Sequence, residues 1–379
     1  MTAADALVDE RAVVICCGTG GVGKTTTAAA IALEAARRGR NACVVTIDPA
    51  RRLANALGLD SLSDAATEIA HELWDPKYLS AGSLSALMLD TKSTFDHLVE
   101  RYSTDPEQCA RILDNRFYRN VSGALGGTQE YMAMEKLHEL HTTGGFDFVV
   151  VDTPPTRHAL DFVEAPGRLL QLLDNRIFAL LMAPTRAYMK VASYAMQTLL
   201  RTIARVVGRD VIDDVIAFFR AFEGMEQGFR ERAAVVQSLI GAETTSFVLI
   251  TTPRRDALAE AEYFALRLSD YELSIDALVV NRVHPCFTET PASSLNKLAA
   301  AADPVNPGLV ERYKLLADLQ TMVEYETNEL RKVHELIPDT PISKIPLLSA
   351  DVHDLDSLGE IAGHLFGDRP NAAGNVSHS

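Results

Sequence analysis

One segment of the chain has the residue types and spacing to hold a phosphate: Gly18-Thr19-Gly20-Gly21-Val22-Gly23-Lys24-Thr25, inside VVICCGTGGVGKTTTAAAIALEAARRG. It matches G-x-x-x-x-G-K-[ST] in full, and it lies between a short apolar run and an alanine-rich stretch, where a strand should turn into a helix. Glycines allow successive backbone N–H groups to turn inward around phosphate oxygens, and a helix opening directly behind them adds partial positive charge. Gly20, Gly21, Val22 and Gly23 are expected to form this cradle, continued by Thr26. Lys24 is expected to bridge the β and γ phosphates, and Thr25 to place its hydroxyl on Mg²⁺. The alternative is a glycine-rich turn with no ligand, which the agreement of motif and context disfavours.

A triphosphate site also needs acids at neighbouring strand ends. In FDFVVVDTPPTRH, Asp152 follows a run of apolar residues, as a Mg²⁺-associated carboxylate should; in VVTIDPARRLANALG, Asp48 holds an equivalent edge. Each taken alone also fits an ordinary turn. With the glycine loop they form a set, because parallel strands bring their C-terminal ends to one rim.

The elements that must position these groups are legible as short runs. Residues 12–17, 42–47, 146–151, 246–250 and 275–280 are nearly all apolar, which marks strands buried on both faces of a parallel sheet. Longer helical patterns alternate with them, giving an α/β, doubly wound, mostly parallel architecture. From 168 to 240 the pattern is helical with no convincing strand, which predicts a helical insertion. The expected layout is a flexible N-terminus over 1–10, a first core part over 11–167 with a weaker helical stretch over 93–141, a helical subdomain over 168–240, a second core part over 241–367 and a flexible tail over 368–379.

The whole-chain numbers agree with a globular protein: 379 residues, 47% apolar, 36 Lys plus Arg against 51 Asp plus Glu, net charge −15. Such an acidic balance excludes sequence-independent nucleic-acid binding by the whole surface. No apolar run reaches the ~18 residues of a membrane span, and MTAADALVDER lacks the basic and apolar regions of a signal peptide, so a cytoplasmic location is expected. The cysteines, Cys16, Cys17, Cys43, Cys109 and Cys286, are odd in number and form no C-x-x-C pair. That argues against a disulfide framework and a thiolate zinc site, and the first three read as buried thiols.

The loop GTGGVGKTT, the segments TIDPA and DTPPTRH, then VVNRV and PLLSADV, in that order and spacing, resemble the ArsA-type ATPases over most of the chain. That family includes arsenite-pump ATPases and ATPases that target tail-anchored membrane proteins. The resemblance implies a phosphate-loop NTPase fold of the deviant Walker A class, ATP as nucleotide, and Mg²⁺. It implies a first switch containing Asp48, Pro49 and Arg51, with Asp48 orienting or activating the attacking water beside the metal. It implies a second switch containing Asp152, which holds Mg²⁺ through water, with Thr156, Arg157 and His158. Asn281 resembles the residue that hydrogen-bonds the base, and the loop from Pro346 and Leu347 to Val352 resembles the one that closes over adenine. Guanine readers use N-K-x-D, whereas Asn281 is followed here by Arg282-Val283-His284, so ATP fits better.

The chain departs from the family pattern in three places. The family's deviant loop begins with a lysine that reaches the partner's nucleotide, and Thr19 stands there. A homodimer then hydrolyses slowly, or Arg51 or Arg157 supplies the charge, or a paralogous ATPase subunit completes a heterodimer. The zinc-binding C-x-x-C of eukaryotic members has only Cys286 as its counterpart, so no zinc is expected. No cysteine cluster for a metalloid is apparent.

From 168 to 207 the basic residues Arg168, Arg176, Arg186, Lys190, Arg201 and Arg205 face a single acid, Asp174. In the same stretch Met182, Met189, Met196 and Ile203 recur every seven residues with Leu199 on the neighbouring ridge, an apolar stripe beside a basic face. Flexible methionine surfaces suit varied apolar partners. One reading is a groove for a hydrophobic client helix or membrane protein; a second is ordinary core against Phe218, Phe219, Phe222 and Met225; a third is a face lying on an anionic membrane. At the level of whole-protein function, a partition or positioning ATPase and a regulatory ATP-binding subunit are the alternatives to a targeting or transport ATPase.

Overall fold

The computed structural model describes residues 3–47, 52–75, 80–121, 128–154, 159–174, 209–302 and 306–367. The chain divides into two compact units: residues 1–87, 145–160 and 243–379, and residues 88–144 and 161–242.

The first unit is built on an eight-stranded sheet of order β3-β4-β2-β5-β1-β6-β7-β8. The strands are β1 (Val13–Gly18), β2 (Asn41–Thr46), β3 (Thr67–Glu68), β4 (Ser83–Met88), β5 (Phe148–Asp152), β6 (Thr245–Thr251), β7 (Ala277–Val283) and β8 (Ile342–Pro346). β1 pairs in parallel with β5 and β6, β2 with β5, β6 with β7 and β7 with β8, while β3 is antiparallel to β4. Every residue of β1, β5 and β6 is buried, which is why these runs are apolar throughout rather than alternating. The fold is thus a doubly wound, mostly parallel α/β sheet.

Helix α1 (Ala3–Asp9) precedes β1, and α2 (Lys24–Arg37) follows it. In α2 the run of alanines has high helix propensity and no bulk, so the helix lies close on the sheet with Ala28 to Ala36 buried. Residues 3–9, within the N-terminal stretch 1–10 expected to be flexible, form a helix. Leu7 and Val8 are buried, and Arg38 bonds Asp5 at 2.6 Å and Asp9 at 3.0 Å, which ties the segment to the end of α2. The short helices α3 (Arg52–Ala56) and α4 (His71–Trp74) lie between β2 and β4.

The second unit contains α5 (Thr91–Tyr102), α6 (Pro106–Leu113), α7 (Arg116–Val121), α8 (Thr128–Thr142), most of α9 (Ala159–Leu173), α10 (Arg209–Ala221) and α11 (Glu226–Ile240). The stretch 93–141, expected to belong to the core, groups here with the helical region. The reason is its packing: Leu98, Val99, Ile112, Tyr118 and Met132 share one apolar cluster with Phe222, Met225 and Phe229. Phe222 and Phe229 rings are 5.0 Å apart, and Phe95 and Tyr118 rings 5.4 Å. The apolar stripe Met182, Met189, Met196, Leu199 and Ile203 lies outside the described residues.

The first unit is completed by α12 (Arg255–Ser269), α13 (Ala292–Ala302), α14 (Pro307–Leu336) and α15 (Leu355–Phe366). Among the described residues no helix is long and apolar enough to cross a membrane.

Candidate functional site

β1 occupies the middle of the sheet, between β5 and β6, and its last residue, Gly18, opens the glycine loop. A side chain at Gly18 would run into the Ile250 carbonyl, so only glycine lets the loop leave the sheet here. Gly21 (φ 80°) and Gly23 (φ 99°) take the left-handed conformation, which turns the backbone sharply into α2. Gly23 has a second constraint, because a Cβ there would collide with the Asn281 side-chain amide.

Among the described residues, Asp90, Asp105, Asn306 and Asp354 each cap the first turn of a helix with their side chains. The first turn of α2 has no side-chain cap, as is also true of α4 and of the helices 226–240 and 255–269; what sets α2 apart is the glycine loop that leads into it. Its amide groups are left to an anion, which is the arrangement a phosphate needs.

Lys24 is buried and folds back over the loop, where its Nζ donates to the carbonyls of Gly18 and Thr19, each at 2.9 Å. Thr25 Oγ1 donates to Asp152 Oδ2 at 2.7 Å, and Thr46 Oγ1 donates to the same oxygen at 3.0 Å. The sheet produces this meeting: Asp152 is in register with Thr46 of β2 and with Cys16 of β1, so β2 and β5 end at one level and β1 runs two residues further to Gly18, where the glycine loop opens. Thr153 Oγ1 donates to Cys16 O at 2.7 Å and fixes the turn after β5. Beneath the loop, burial raises the Cys16 thiol pKa and pushes that of Cys17 up to about 12, so both stay protonated at neutral pH. Cys16, Cys17 and Cys43 are buried, as their strand setting suggests.

A cavity of about 600 Å³ brings together Gly20, Gly21, Gly23, Lys24, Thr25, Thr26, Asp152, Asn281, Pro346 and Leu347. Val22 contributes differently. Its side chain is buried, and its carbonyl accepts a 2.8 Å hydrogen bond from Asn281 Nδ2, which anchors the end of β7 to the loop. Arg52, Asn55, Asp351 and Arg282 also line the cavity; Arg282 and Asp351 fall within the VVNRV and PLLSADV segments without a role assigned to them there, and Arg52 and Asn55 belong to none of the segments that carry the resemblance. Thr46 opens the TIDPA segment, but that segment assigns it no role; its role shows in its position, six residues into β2, level with the acid that ends β5. Asp48, Pro49, Arg51, Thr156, Arg157 and His158 lie outside the described residues.

The donor set fits Mg²⁺. A hydroxyl and a carboxylate in contact are hard oxygen ligands, and this ion takes few protein ligands because phosphate and water complete its shell. Among the described residues no group of three or more His, Cys, Asp or Glu side chains is placed to hold a metal alone.

The family model described as anion-transporting ATPase matches residues 11–367. The chain belongs to that family. Among its relatives, this family member is 22% identical over 363 residues to a protein of Aquifex aeolicus described as an arsenical pump-driving ATPase, which covers 94% of this chain and 79% of that one. It is 24% identical to the ATPase GET3 of Malassezia globosa, covering 95% of this chain and 93% of that one. It is 23% identical to the ATPase get3 of Schizosaccharomyces japonicus, covering 92% and 90%.

Proposed function

We propose that this chain binds ATP with Mg²⁺ and hydrolyses it to ADP and phosphate, and that nucleotide-dependent closure of two subunits drives targeting or transport of a hydrophobic or membrane-related client. The observation that carries the nucleotide reading is the meeting of Thr25, Asp152 and Thr46 beneath a helix whose first turn has no side-chain cap.

On this reading Lys24 exchanges the Gly18 and Thr19 carbonyls for phosphate oxygens, and the loop amides bind the same group. Thr25 directly and Asp152 through water would hold Mg²⁺, which when bound offsets part of the triphosphate charge. Asp48 orients the attacking water and accepts its proton. Asn281, Pro346 and Leu347 form the wall for adenine. Hydrolysis releases the closed arrangement of the switches, and with it the two subunits.

The client reading is supported by the names of the relatives and by the Met182 to Ile203 stripe of the sequence. Arsenite capture by strand thiols is not part of it, since Cys16 and Cys17 are buried and held protonated. A second reading, a regulatory ATP-binding half of a heterodimer, is favoured by the uncharged Thr19 in the loop.

The test is nucleotide binding and phosphate release by the purified chain and two variants. Lys24→Ala is expected to lose binding, and Asp48→Asn to keep binding and lose turnover. A chain that binds ATP but never hydrolyses it, alone or with Asp48 changed, supports the regulatory reading. Light scattering with and without Mg²⁺ and ATP checks subunit closure, and crosslinking from Met189 or Met196 in the ATP state checks the client.

A further inference from the structure

Beside the nucleotide cavity lies a second depression of about 430 Å³. Gly20, Gly21, Arg282 and Leu347 line both, so Arg282 stands on the wall the two share. The smaller depression holds three basic side chains. Arg254 is paired with Asp256 at 2.7 Å and His284 with Glu326 at 2.5 Å. Arg282 is exposed and forms no ion pair among the described residues. Of the two arginines, Arg282 is the one without a carboxylate partner among the described residues.

The backbone at this position is unusual. Arg282 has φ +60°, a conformation that L residues with side chains rarely adopt. The other described non-glycine residue with positive φ, Glu272, closes the end of α12, where such geometry is ordinary. Arg282 closes no helix. It sits at a break in the pairing of β7 with β8, between Val280 opposite Lys344 and Val283 opposite Pro346. Such bulges re-aim a side chain and occur beside active sites. The strained residue is also held: its N–H donates to Asn281 Oδ1 at 2.9 Å, and the Asn281 amide donates to Val22 O in the glycine loop at 2.8 Å. Leu347 N donates to Val283 O at 2.9 Å and fixes the far side. Arg52 lines the nucleotide cavity too, but it opens a short helix and has no comparable constraint.

We propose that Arg282 is a catalytic residue that contacts the bound triphosphate from the same chain, supplying the second cation that a loop with uncharged Thr19 and one lysine lacks. This rests on the nucleotide reading of the cavity. During hydrolysis the water oxygen forms its bond to the γ phosphorus as the bond from that phosphorus to the bridging oxygen breaks. ADP leaves with that electron pair, and the proton of water passes to Asp48. Arg282 takes up no proton; its planar guanidinium donates two hydrogen bonds to oxygens whose negative charge grows in the transition state.

The experiment compares the full chain with Arg282→Gly and Arg282→Lys. Glycine adopts φ +60° freely, so Arg282→Gly should melt at or above the wild-type temperature. Its kcat is expected to fall about 100-fold while ATP affinity changes much less, with partial recovery in Arg282→Lys. Binding of ADP with aluminium fluoride, a mimic of the group in transfer, gives a readout independent of turnover: Arg282→Gly should weaken it far more than it weakens ADP alone. Turnover within twofold of wild type, or equal weakening of ADP and of its fluoride complex, would overturn the assignment. So would an equal loss of adenosine binding, which would place the guanidinium on the base. If wild type binds ATP in none of these assays, the nucleotide reading fails, and this assignment with it.

Discussion

Thr25 Oγ1 and Asp152 Oδ2 are 2.7 Å apart although 127 positions separate them in sequence, and Thr46 shares the same carboxylate oxygen at 3.0 Å. Thr46 touches neither loop nor nucleotide on this account, yet it sets the orientation of the acid that stands behind the metal. Thr46→Val keeps the shape and removes the hydrogen bond. Its apparent Mg²⁺ affinity in the presence of ATP should fall about 10-fold, in line with the loss of a supporting partner behind a metal ligand. Titrating Mg²⁺ against phosphate release checks it.

Gly23 is constrained twice, by φ 99° and by the Asn281 amide, which fills the space a Cβ would need. Gly23→Ala should cost about 2–3 kcal/mol in urea unfolding, the sum of left-handed strain and a local clash. Adding Asn281→Ala relieves the clash and leaves the strain, so the double variant should recover part of that loss. A double variant no better than Gly23→Ala would show that the contact with Asn281 is not the cause.

In the helical unit Arg232 and Glu135 form a bidentate pair, with only 10% and 4% of their side chains exposed. Glu135→Ala leaves a guanidinium with no counter-charge in a dry setting and should destabilise this unit by about 3–5 kcal/mol. Glu135→Gln, which keeps a hydrogen-bond acceptor, should cost less. Proteolysis of the unit under native conditions reports the difference.

His138, on α8 of the same unit, has its pKa lowered from 6.5 to about 4, first by burial and then by Arg232. The folded form therefore binds its proton more weakly than the unfolded chain does. The stability His138 allows at neutral pH is lost as pH falls from about 6.5 to about 4, and the loss is complete below that. His138→Gln should flatten the pH dependence of unfolding across that window, and a variant with an unchanged profile would contradict the assignment.

Much of this arrangement is readable from the residues themselves. β1, β2, β5, β6 and β7 are apolar nearly throughout because a parallel sheet covers both their faces, and the glycine loop marks the turn from β1 into α2. β4, with the sequence SLSALM, carries serines that weaken the pattern, and β8, ISKIP, is an edge strand with an exposed lysine. Neither stands out as a strand. The helical unit draws on 88–144 as well as on 161–242, a long-range packing choice that local periodicity does not report. At the site, Lys24, Thr25 and Asp152 follow from motif and strand-end logic. The roles of Thr46 and Arg282 do not, because strand register and a bulge in β7 bring them to the cavity, and neither leaves a signature in a single sequence.

Everything proposed for the cavity requires that Lys24 and the glycine loop hold a triphosphate. Calorimetric titration of ATP into the full chain with Mg²⁺ present, beside Lys24→Ala, tests it most directly. Saturable binding is expected for the wild type, weakened about 100-fold or more in the variant as charge-assisted hydrogen bonds to phosphate are lost. Equal affinity of the two proteins, or no binding by the wild type, would contradict it.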